Sequence, residues 1–427
     1  MKKLIAIVSA LACVMSFAAC GSSDDSSASS TASSQTEQTA SSDISESEGP
    51  EKNVESIRVT DAQFDTYTSN TYLSTGNNGF VRSADGITYR AYIPVEQYGE
   101  LEYCFYFSNT VDSTYNKGKP VYVGKEGGEY TIEYAAVYDG GTSPDEEPTN
   151  KSDVTFGGES SKSVAANETY WSDPVTIDIP QDHYLVWEWK LTGKEIPCNK
   201  MSNLTSATAD KTGEGNFEYC DDIPLPVFIG AKRENVTNRV MAIGDSITQG
   251  CQTEFMKFEY WSAQIAQQLG ENASFWNCGL GWARTSDLST CGNWLGRSLN
   301  CDTAIVAFGT NDIASGEYNG DGGNTAEEII AYLEPILDQL KAADVKNIIL
   351  FNAPPEDFDE EKEAVRTEYN EILKETAEKY CAEYFDFASY LCDPETPSAA
   401  KFGGHPNGEG GKIVADAFME KYASLFE

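Results

Sequence analysis

The hydrophobic pattern of this chain changes near Gly230, and that change restricts the folds it can adopt. Upstream, short alternating or β-rich runs are separated by Gly, Asn, Asp and Pro, and helical periodicity is hard to find. The clearest of these runs are 86–93, 101–107, 130–134, 175–179 and 184–189. This pattern predicts an all-β sandwich or jelly-roll domain over residues 54–235.

Downstream of the change, short apolar runs alternate with longer amphipathic stretches. The predicted strands are 240–243, 304–308 and 347–351, and the predicted helices lie around 261–269, 325–342, 360–380 and 410–425. Strand and helix in alternation are typical of a parallel sheet covered on both faces. We therefore expect a three-layer α/β/α domain over residues 236–427.

The first twenty residues have the organisation of an export signal. Lys2 and Lys3 precede an apolar stretch over 4–17, and two alanines stand before Cys20. This ending resembles a bacterial lipoprotein signal, which implies lipid attachment at Cys20. Ordinary secretory cleavage is the alternative, because Phe17 stands where leucine is usual. We expect an exported protein held at the cell surface by a lipid anchor in the bacterial membrane.

Residues 21–53 are rich in Ser, Thr, Gln, Asp and Glu and hold almost no apolar side chains. Such a segment cannot bury enough surface to fold, so it is predicted to be a disordered tether. No later stretch approaches the roughly 18 apolar residues that a membrane span requires.

The formal net charge of −38 bears on the partners of this chain. Binding to nucleic acid requires a clustered basic surface, and none stands out, so nucleic acid is an unexpected partner. A neutral or weakly charged substrate is favoured.

Of the eleven cysteines, those outside the signal could pair in an exported protein, for example Cys291 with Cys301 or Cys198 with Cys220. No zinc-like spacing of Cys and His is present.

A candidate nucleophile follows the predicted strand 240–243. The sequence Gly-Asp-Ser places Ser246 at the carboxyl edge of a parallel sheet, where open α/β folds bind ligands. A serine nucleophile needs an imidazole to accept its proton, and the chain has two histidines. His183, beside Asp182 in the β-rich part, is interpreted as a surface or hydrogen-bonded histidine. His405, before the last predicted helix, is the candidate base.

Four blocks occur in order around these residues. They are Gly-Asp-Ser-Ile-Thr at 244–248, Asn-Cys-Gly-Leu-Gly-Trp at 277–282, Gly-Thr-Asn-Asp at 309–312 and His-Pro-Asn at 405–407. In these blocks the C-terminal part of the chain resembles the SGNH/GDSL family of serine esterases and lipases. The resemblance implies a flavodoxin-like α/β fold and hydrolysis through an acyl-serine, with no cofactor and no metal.

The resemblance also assigns roles to individual residues. Ser246 would be the nucleophile and His405 the base, while the Ser246 amide and the Asn311 side chain would donate to the oxyanion. A glycine of the second block would give a further amide. Where the family usually has glycine this chain has Trp282, so we expect Gly281 to supply that amide, with the Trp282 backbone as the alternative.

A second departure from the family concerns the acid of the triad. The family usually has Asp three residues before the histidine, and here that position is Phe402. We expect a Ser-His dyad in which a backbone carbonyl orients His405. Asp393, upstream of His405, is the alternative acid.

The order of the two domains and the region 279–284 resemble two-domain acetyl esterases that act on plant polysaccharides. This resemblance implies removal of short acyl groups, acetyl above all, from acylated carbohydrate or another small ester, and Trp282 could stack on a sugar ring. A lipid esterase or thioesterase is the alternative within enzymes. Outside them, the alternative is a lipid-anchored carbohydrate-binding protein with an inactive or weak hydrolase domain.

Overall fold

The computed structural model describes residues 54–114, 122–200, 204–319 and 324–426, with backbone alone at 315–319. The predicted signal, the predicted lipid-attachment residue Cys20 and the predicted tether lie outside these residues. Residues 49–427 belong to one compact unit. No helix in the described part of the chain has the length and apolar character needed to cross a bilayer.

The N-terminal part is antiparallel β-structure after one short helix, α1 (Ala62–Thr66). Its strands are β1 (Thr68–Ser69), β2 (Gly79–Ile93), β3 (Gly99–Ser108), β4 (Tyr130–Asp139), β5 (Thr149–Val154), β6 (Lys162–Val164), β7 (Thr169–Trp171), β8 (Val175–Ile179), β9 (Leu185–Lys200), β10 (Ala207–Asp210), β11 (Glu218–Tyr219), β12 (Asp222–Ile223) and β13 (Phe228–Ala231). They form two sheets. One has the order β1-β13-β3-β7 with β8 also on β3, and the other has the order β11-β10-β2-β9-β4-β5 with β12 on β9 and β6 on β4.

The alternation of side chains explains why these sheets face each other. In β8, Val175, Ile177 and Ile179 are buried while the residues between them are exposed. Trp187 and Trp189 of β9 share one face and are buried in the core between the sheets. The expected all-β sandwich, jelly-roll-like in character, is confirmed.

The C-terminal part alternates strands and helices. Its strands are β14 (Asn238–Gly244), β15 (Ala273–Asn277), β16 (Thr303–Ala307), β17 (Asn347–Phe351), β18 (Glu383–Phe385) and the small hairpin β19 (Cys392–Asp393) and β20 (Thr396–Ala400). Its helices are α2 (Ser246–Gln249), α3 (Trp261–Gln268), α4 (Thr285–Thr290), α5 (Gly292–Ser298), α6 (Thr310–Asn319), α7 (Ala326–Ala342), α8 (Glu360–Lys379), α9 (Phe387–Leu391) and α10 (Gly408–Tyr422), followed by a 3₁₀ turn at Ala423–Leu425.

The main sheet of this part has the order β15-β14-β16-β17-β18, and all its pairs are parallel. The second strand lies outside the first and the remaining strands follow in sequence, which is the flavodoxin-like order. Apolar side chains on both sides of the sheet enter two separate core clusters. The expected α/β/α domain with a parallel sheet is confirmed.

Capping residues set the ends of two helices near the predicted ones. Thr325 accepts from the Glu328 amide while Glu328 bonds back to Thr325, so α7 begins at Ala326. Asn407 accepts from the Gly410 amide at 3.1 Å. Helix α10 therefore begins at Gly408, two residues before the predicted start, because the asparagine cap lies inside the His-Pro-Asn block.

The β-sandwich and the α/β layer share one hydrophobic cluster, to which Phe64, Phe228, Met241 and Trp276 all belong. A buried ion pair between Asp112 and Arg297 also joins them. The first described residues lie along the helices of the α/β layer. The Ile57 amide donates 2.9 Å to Gln339 Oε1, and the Val59 amide donates 3.0 Å to the Gly296 carbonyl.

The nine cysteines in the described ranges are all free thiols. Cys291 and Cys301 are buried separately in the shared cluster, and burial raises the pKa of each thiol. Neither of the two pairings considered from the sequence is present.

Candidate active site

Three of the four sequence blocks meet at the carboxyl edge of the parallel sheet. Ser246 follows β14, the block 277–282 follows β15, and Asn311 follows β16. Because β14 lies between β15 and β16, the three strand ends are neighbours. The Leu280 amide donates 3.0 Å to the Gly244 carbonyl, which holds the second block against the nucleophile turn.

Ser246 is the first residue of α2, and the turn before it is tightly packed. Asp245 caps the helix by accepting from the Ile247 amide at 2.9 Å. Gly244 has no room for a side chain, since a Cβ there would lie 2.4 Å from the Ala307 carbonyl oxygen. The first amides of a helix have no intrahelical acceptor, so the backbone around Ser246 favours negative charge.

His405 is in hydrogen-bond contact with the candidate nucleophile. Its Nε2 lies 2.8 Å from Ser246 Oγ, although 158 residues separate the two in the chain. The loop after β20 delivers the imidazole, and Asn407 fixes the end of that loop by capping α10. Burial lowers the pKa of His405 to about 4. The imidazole is therefore neutral at pH 7 and able to accept a proton.

The second ring nitrogen of His405, Nδ1, contacts a residue that we did not predict from the sequence. Gln252 Nε2 lies 3.2 Å from His405 Nδ1. The only hint was its position six residues after Ser246. Among the described residues, Ser246 and Gln252 are the hydrogen-bond partners of the His405 ring.

In the described part of the chain, neither the expected backbone carbonyl nor the alternative acid Asp393 is a hydrogen-bond partner of the imidazole. Asp393 Oδ1 accepts from the amides of Glu395 and Thr396 and so closes its own turn, which does not fit the alternative role of triad acid. Phe402 occupies the usual acid position and packs over Gly410 of α10. The phenyl ring of Phe402 makes this contact with α10, at the position where the family usually has a carboxylate.

Asn311, which is expected to donate to the oxyanion, follows β16 at the same edge of the sheet as Ser246. It is buried at the start of α6, and its Nδ2 donates 3.2 Å to the Ala283 carbonyl. The side chain is thus tied to the second block. Its amide is close to the turn that carries Trp282.

The expectation for Gly281 does not fit the geometry. Its amide donates 2.8 Å to Gln249 Oε1, so this donor is already committed inside the protein. The Gly279 amide is likewise committed, to Asn277 Oδ1 at 2.9 Å. The Trp282 backbone remains as the alternative from the second block. Trp282 has a φ of 67°, a left-handed conformation that suits the glycine usual in the family.

Gln249 connects this turn to the β-sandwich. Its Nε2 donates 3.2 Å to Asn199 Oδ1 and 3.0 Å to the Lys200 carbonyl, both at the end of β9. Gln249 and Asn199 are fully buried. Nothing in the sequence marked this pair, because its two members belong to different predicted domains.

Buried carboxyl groups lie behind the nucleophile turn. Burial, reinforced by the neighbouring Asp312, raises the pKa of Asp245 to about 7. Burial likewise raises the pKa of Asp312 to about 7, although it accepts from the Thr285 amide and hydroxyl. Glu356, after β17, is raised to about 8 by burial and then by Asp245 and Asp357. Asp245 and Asp312 thus organise the loops that carry Ser246 and Thr285.

The second histidine lies in the β-sandwich. His183 Nδ1 is 2.7 Å from Asp139 Oδ1, so the imidazole is held by a strand carboxylate. Within the described ranges, no three His, Cys, Asp or Glu side chains form a group suited to a metal ion.

Comparisons with known proteins agree on the C-terminal part. Residues 242–413 match the model of the GDSL-like Lipase/Acylhydrolase family. No curated protein matches the chain.

Three solved structures are similar to less than half of this chain. The acetylxylan esterase Axe2 from Geobacillus stearothermophilus is 20% identical, with 44% of this chain and 95% of that chain covered and a TM-score of 0.37. A putative GDSL-like lipase from Parabacteroides merdae is 18% identical, with 44% and 97% covered and a TM-score of 0.38. A lipolytic protein of the G-D-S-L family from Veillonella parvula is 20% identical, with 43% and 98% covered and a TM-score of 0.34.

The matched region 242–413 holds the nucleophile turn, the Asn311 block and the His405 loop. Residues 242–413, less than half of the chain, therefore match the GDSL-like lipase/acylhydrolase family, and this match supports a serine ester hydrolase.

Proposed function

We propose that the protein removes short acyl groups, acetyl above all, from carbohydrate through an acyl-serine intermediate on Ser246. The observation that carries this proposal is the 2.8 Å contact between His405 Nε2 and Ser246 Oγ at the carboxyl edge of the sheet. A neutral imidazole in that position is poised to take the serine proton.

The proposed reaction has two halves. Ser246 Oγ bonds to the ester carbonyl carbon while its proton passes to His405 Nε2 and the carbonyl π electrons move to the oxygen. The oxyanion is held by the Ser246 amide, the Asn311 side chain and a donor of the second block. The intermediate then expels the alcohol, which takes the proton from Nε2. Water repeats the sequence on the acyl-serine and releases the acid.

Burial of the site supports a small acyl group. Ser246 is 9% exposed and Asn311 is 7% exposed. A carbonyl that contacts both must therefore enter a narrow space, which suits acetyl better than a long chain. The net charge of −38 favours a neutral substrate such as an acetylated glycan over an anionic one.

Export and lipid anchoring through Cys20 are part of the proposal. They rest on the signal-like residues 1–20 and on the Ser- and acid-rich segment that follows. Globomycin sensitivity of processing and labelling with a fatty-acid analogue test this part, with Cys20→Ser as the control. A soluble, unlabelled secreted protein would contradict anchoring.

The activity is tested with 4-nitrophenyl acetate, butyrate and octanoate and with acetylated xylo-oligosaccharides. We expect the acetate to be the preferred aryl ester and Ser246→Ala to reduce kcat by at least about 10³-fold. His405→Ala should have a similar effect. His183→Ala is the matched control, since it removes the other histidine from a site in the sandwich, and it should keep wild-type activity.

Two results would overturn the proposal. Hydrolysis by the wild type that is no faster than by Ser246→Ala would favour a carbohydrate-binding protein with an inactive domain. Preference for octanoate over acetate would favour the lipid esterase alternative.

A further inference from the structure

We propose that Gln252 is the positioning residue of His405, and that its side-chain amide replaces the carboxylate of the usual triad by accepting a hydrogen bond from Nδ1–H. The inference rests on the proposed function and deepens it. It starts from the 3.2 Å contact between Gln252 Nε2 and His405 Nδ1, the ring nitrogen that does not face Ser246.

The backbone ties Gln252 to the nucleophile. Helix α2 ends at Gln249 and is capped by Gly250, whose φ is 105°, and the Cys251 amide donates 2.9 Å back to the Ser246 carbonyl. Gln252 follows with a φ of 68°, a strained value for a residue with a side chain. The turn that ends the nucleophile helix therefore also aims the Gln252 amide at the imidazole.

The position of the proton on the His405 ring determines whether the Gln252 amide must donate or accept. For Nε2 to accept the Ser246 proton, the ring proton must be on Nδ1, and an acceptor must then face Nδ1. In the structure the Nε2 of Gln252 faces Nδ1, and that orientation goes with the tautomer whose ring Nε2–H donates to Ser246. A half turn of the amide, whose two ends have nearly the same shape, brings Oε1 to Nδ1 and supplies the acceptor that the base needs. The orientation of the amide thus selects between a competent and an incompetent base.

The nearby carboxyl groups do not take this role. A Cβ on Gly404 would lie 3.2 Å from Glu356 Cδ, so Glu356 packs directly beside the His405 loop. Its pKa of about 8 makes it neutral at pH 7, and its buried Oε1 has no hydrogen-bond partner in the described part of the chain. Glu259 packs against Gly408, on the far side of Asn407. Neither carboxyl group hydrogen-bonds to the imidazole.

A neutral amide stabilises the imidazolium less than a carboxylate does. A glutamate at position 252 would add a charge-assisted bond to Nδ1–H and should raise the pKa of His405. The substitution Gln252→Glu therefore converts the site into a Ser-His-Glu triad. Removal of the amide in Gln252→Ala leaves the ring without this partner.

The test compares Gln252→Ala, Gln252→Glu and Glu356→Gln with wild type on 4-nitrophenyl acetate across pH. We expect Gln252→Ala to lower kcat by about 10- to 100-fold with little change in KM. Gln252→Glu should keep or exceed wild-type kcat and move the acid limb of the kcat/KM profile upward by about one pH unit or more. Glu356→Gln, the matched control beside the same loop, should stay within about threefold of wild type.

A second readout does not depend on activity. Nitrogen-15 NMR reports the tautomer and pKa of His405, and His183→Ala assigns the signals because the chain has two histidines. We expect the pKa of His405 to rise in Gln252→Glu and the tautomer population to change in Gln252→Ala.

The outcomes separate the two proposals. Wild-type kcat and an unchanged imidazole spectrum in Gln252→Ala would overturn the inference while Ser246-dependent hydrolysis still stood. A loss in Glu356→Gln equal to that in Gln252→Ala would assign the orienting role to Glu356. An absence of Ser246-dependent hydrolysis would overturn the proposed function, and the NMR measurement would still decide the role of Gln252.

Discussion

Gln249 holds the amide of Gly281 at 2.8 Å with the same side chain that donates to Asn199. The glycine turn beside the nucleophile is thereby fastened to the last turn of α2 and to the β-sandwich. The sandwich therefore belongs to the framework of the catalytic site, as its shared hydrophobic cluster with the α/β layer also indicates.

Substitution of Gln249 by alanine tests this connection. The change leaves the buried Gly281 amide and Asn199 Oδ1 without their partner and frees the turn to move. We expect kcat on aryl acetates to fall by about 10- to 100-fold, because small displacements of catalytic groups are costly. Gln268→Ala, at an exposed glutamine bonded to Asp416, is the control. Equal kinetics of both variants and wild type would contradict the connection.

The depressed pKa of His405 predicts activity that persists in mild acid. The base works in its neutral form, so activity is lost only as pH falls through the pKa of about 4. We expect kcat/KM to be maintained down to about pH 5.5 and to fall below that pH. Asp245 and Asp312, with pKa values of about 7, titrate behind the nucleophile turn, so a change near pH 7 belongs to them and not to the base. Glu356, beside the His405 loop, is protonated over the acid limb and should not add a step there.

This pH profile needs a control for unfolding. Intrinsic fluorescence across the same range separates loss of structure from protonation of the base. An acid limb centred near pH 6.5, the ordinary pKa of histidine, would contradict the effect of burial.

The left-handed backbone at Trp282 predicts different stabilities for two small substitutions. Alanine and glycine both remove the indole, but only glycine adopts a φ of 67° without strain. We expect Trp282→Gly to be more stable than Trp282→Ala by about 1 kcal/mol in denaturant unfolding. Equal stabilities would show that the backbone relaxes at this position. A rise in KM for glycans in both variants would support a substrate contact by the indole.

The buried pair Asp112 and Arg297 predicts a large loss of stability when one partner is removed. Arg297 Nη1 donates 2.8 Å to Asp112 Oδ1, and both side chains are almost fully buried. Arg297→Met leaves a buried carboxylate unpaired and should cost about 3–5 kcal/mol in the free energy of unfolding. Lys346→Met, at an exposed pair with Asp302, is the control and should cost less than about 1 kcal/mol. Similar losses in both variants would contradict the role of burial.

The strongly periodic elements were predictable from the sequence. Residues 347–351 and 175–179 were predicted with the bounds that the structure shows, because apolar runs and strict alternation depend on local sequence. Strand β15 and the short helices α4 and α5 were not predicted. They carry brief or mixed patterns, and their conformation is set by packing against the sheet.

In the candidate site, too, some residues were predictable from local sequence and others were not. Ser246 and His405 were predicted from blocks of sequence, and the structure brings them together. Gln252, Gln249 and Glu356 carry no local signature. Their significance comes from contacts across the fold, with His405, Asn199 and Gly404. Gly281 was expected to face the substrate because spacing alone does not reveal that Gln249 occupies its amide.

The hydrogen bonds of Ile57 to Gln339 and of Val59 to Gly296 hold the first described residues against the helices of the α/β layer. Gln339 lies near the end of α7, and crossover helices run back toward the amino edge of a parallel sheet. Ser246 lies at the opposite edge, roughly 20 Å away along the seven residues of β14. The first described residues are therefore held on the side of the sheet away from Ser246, and a substrate bound at the nucleophile has no contact with them.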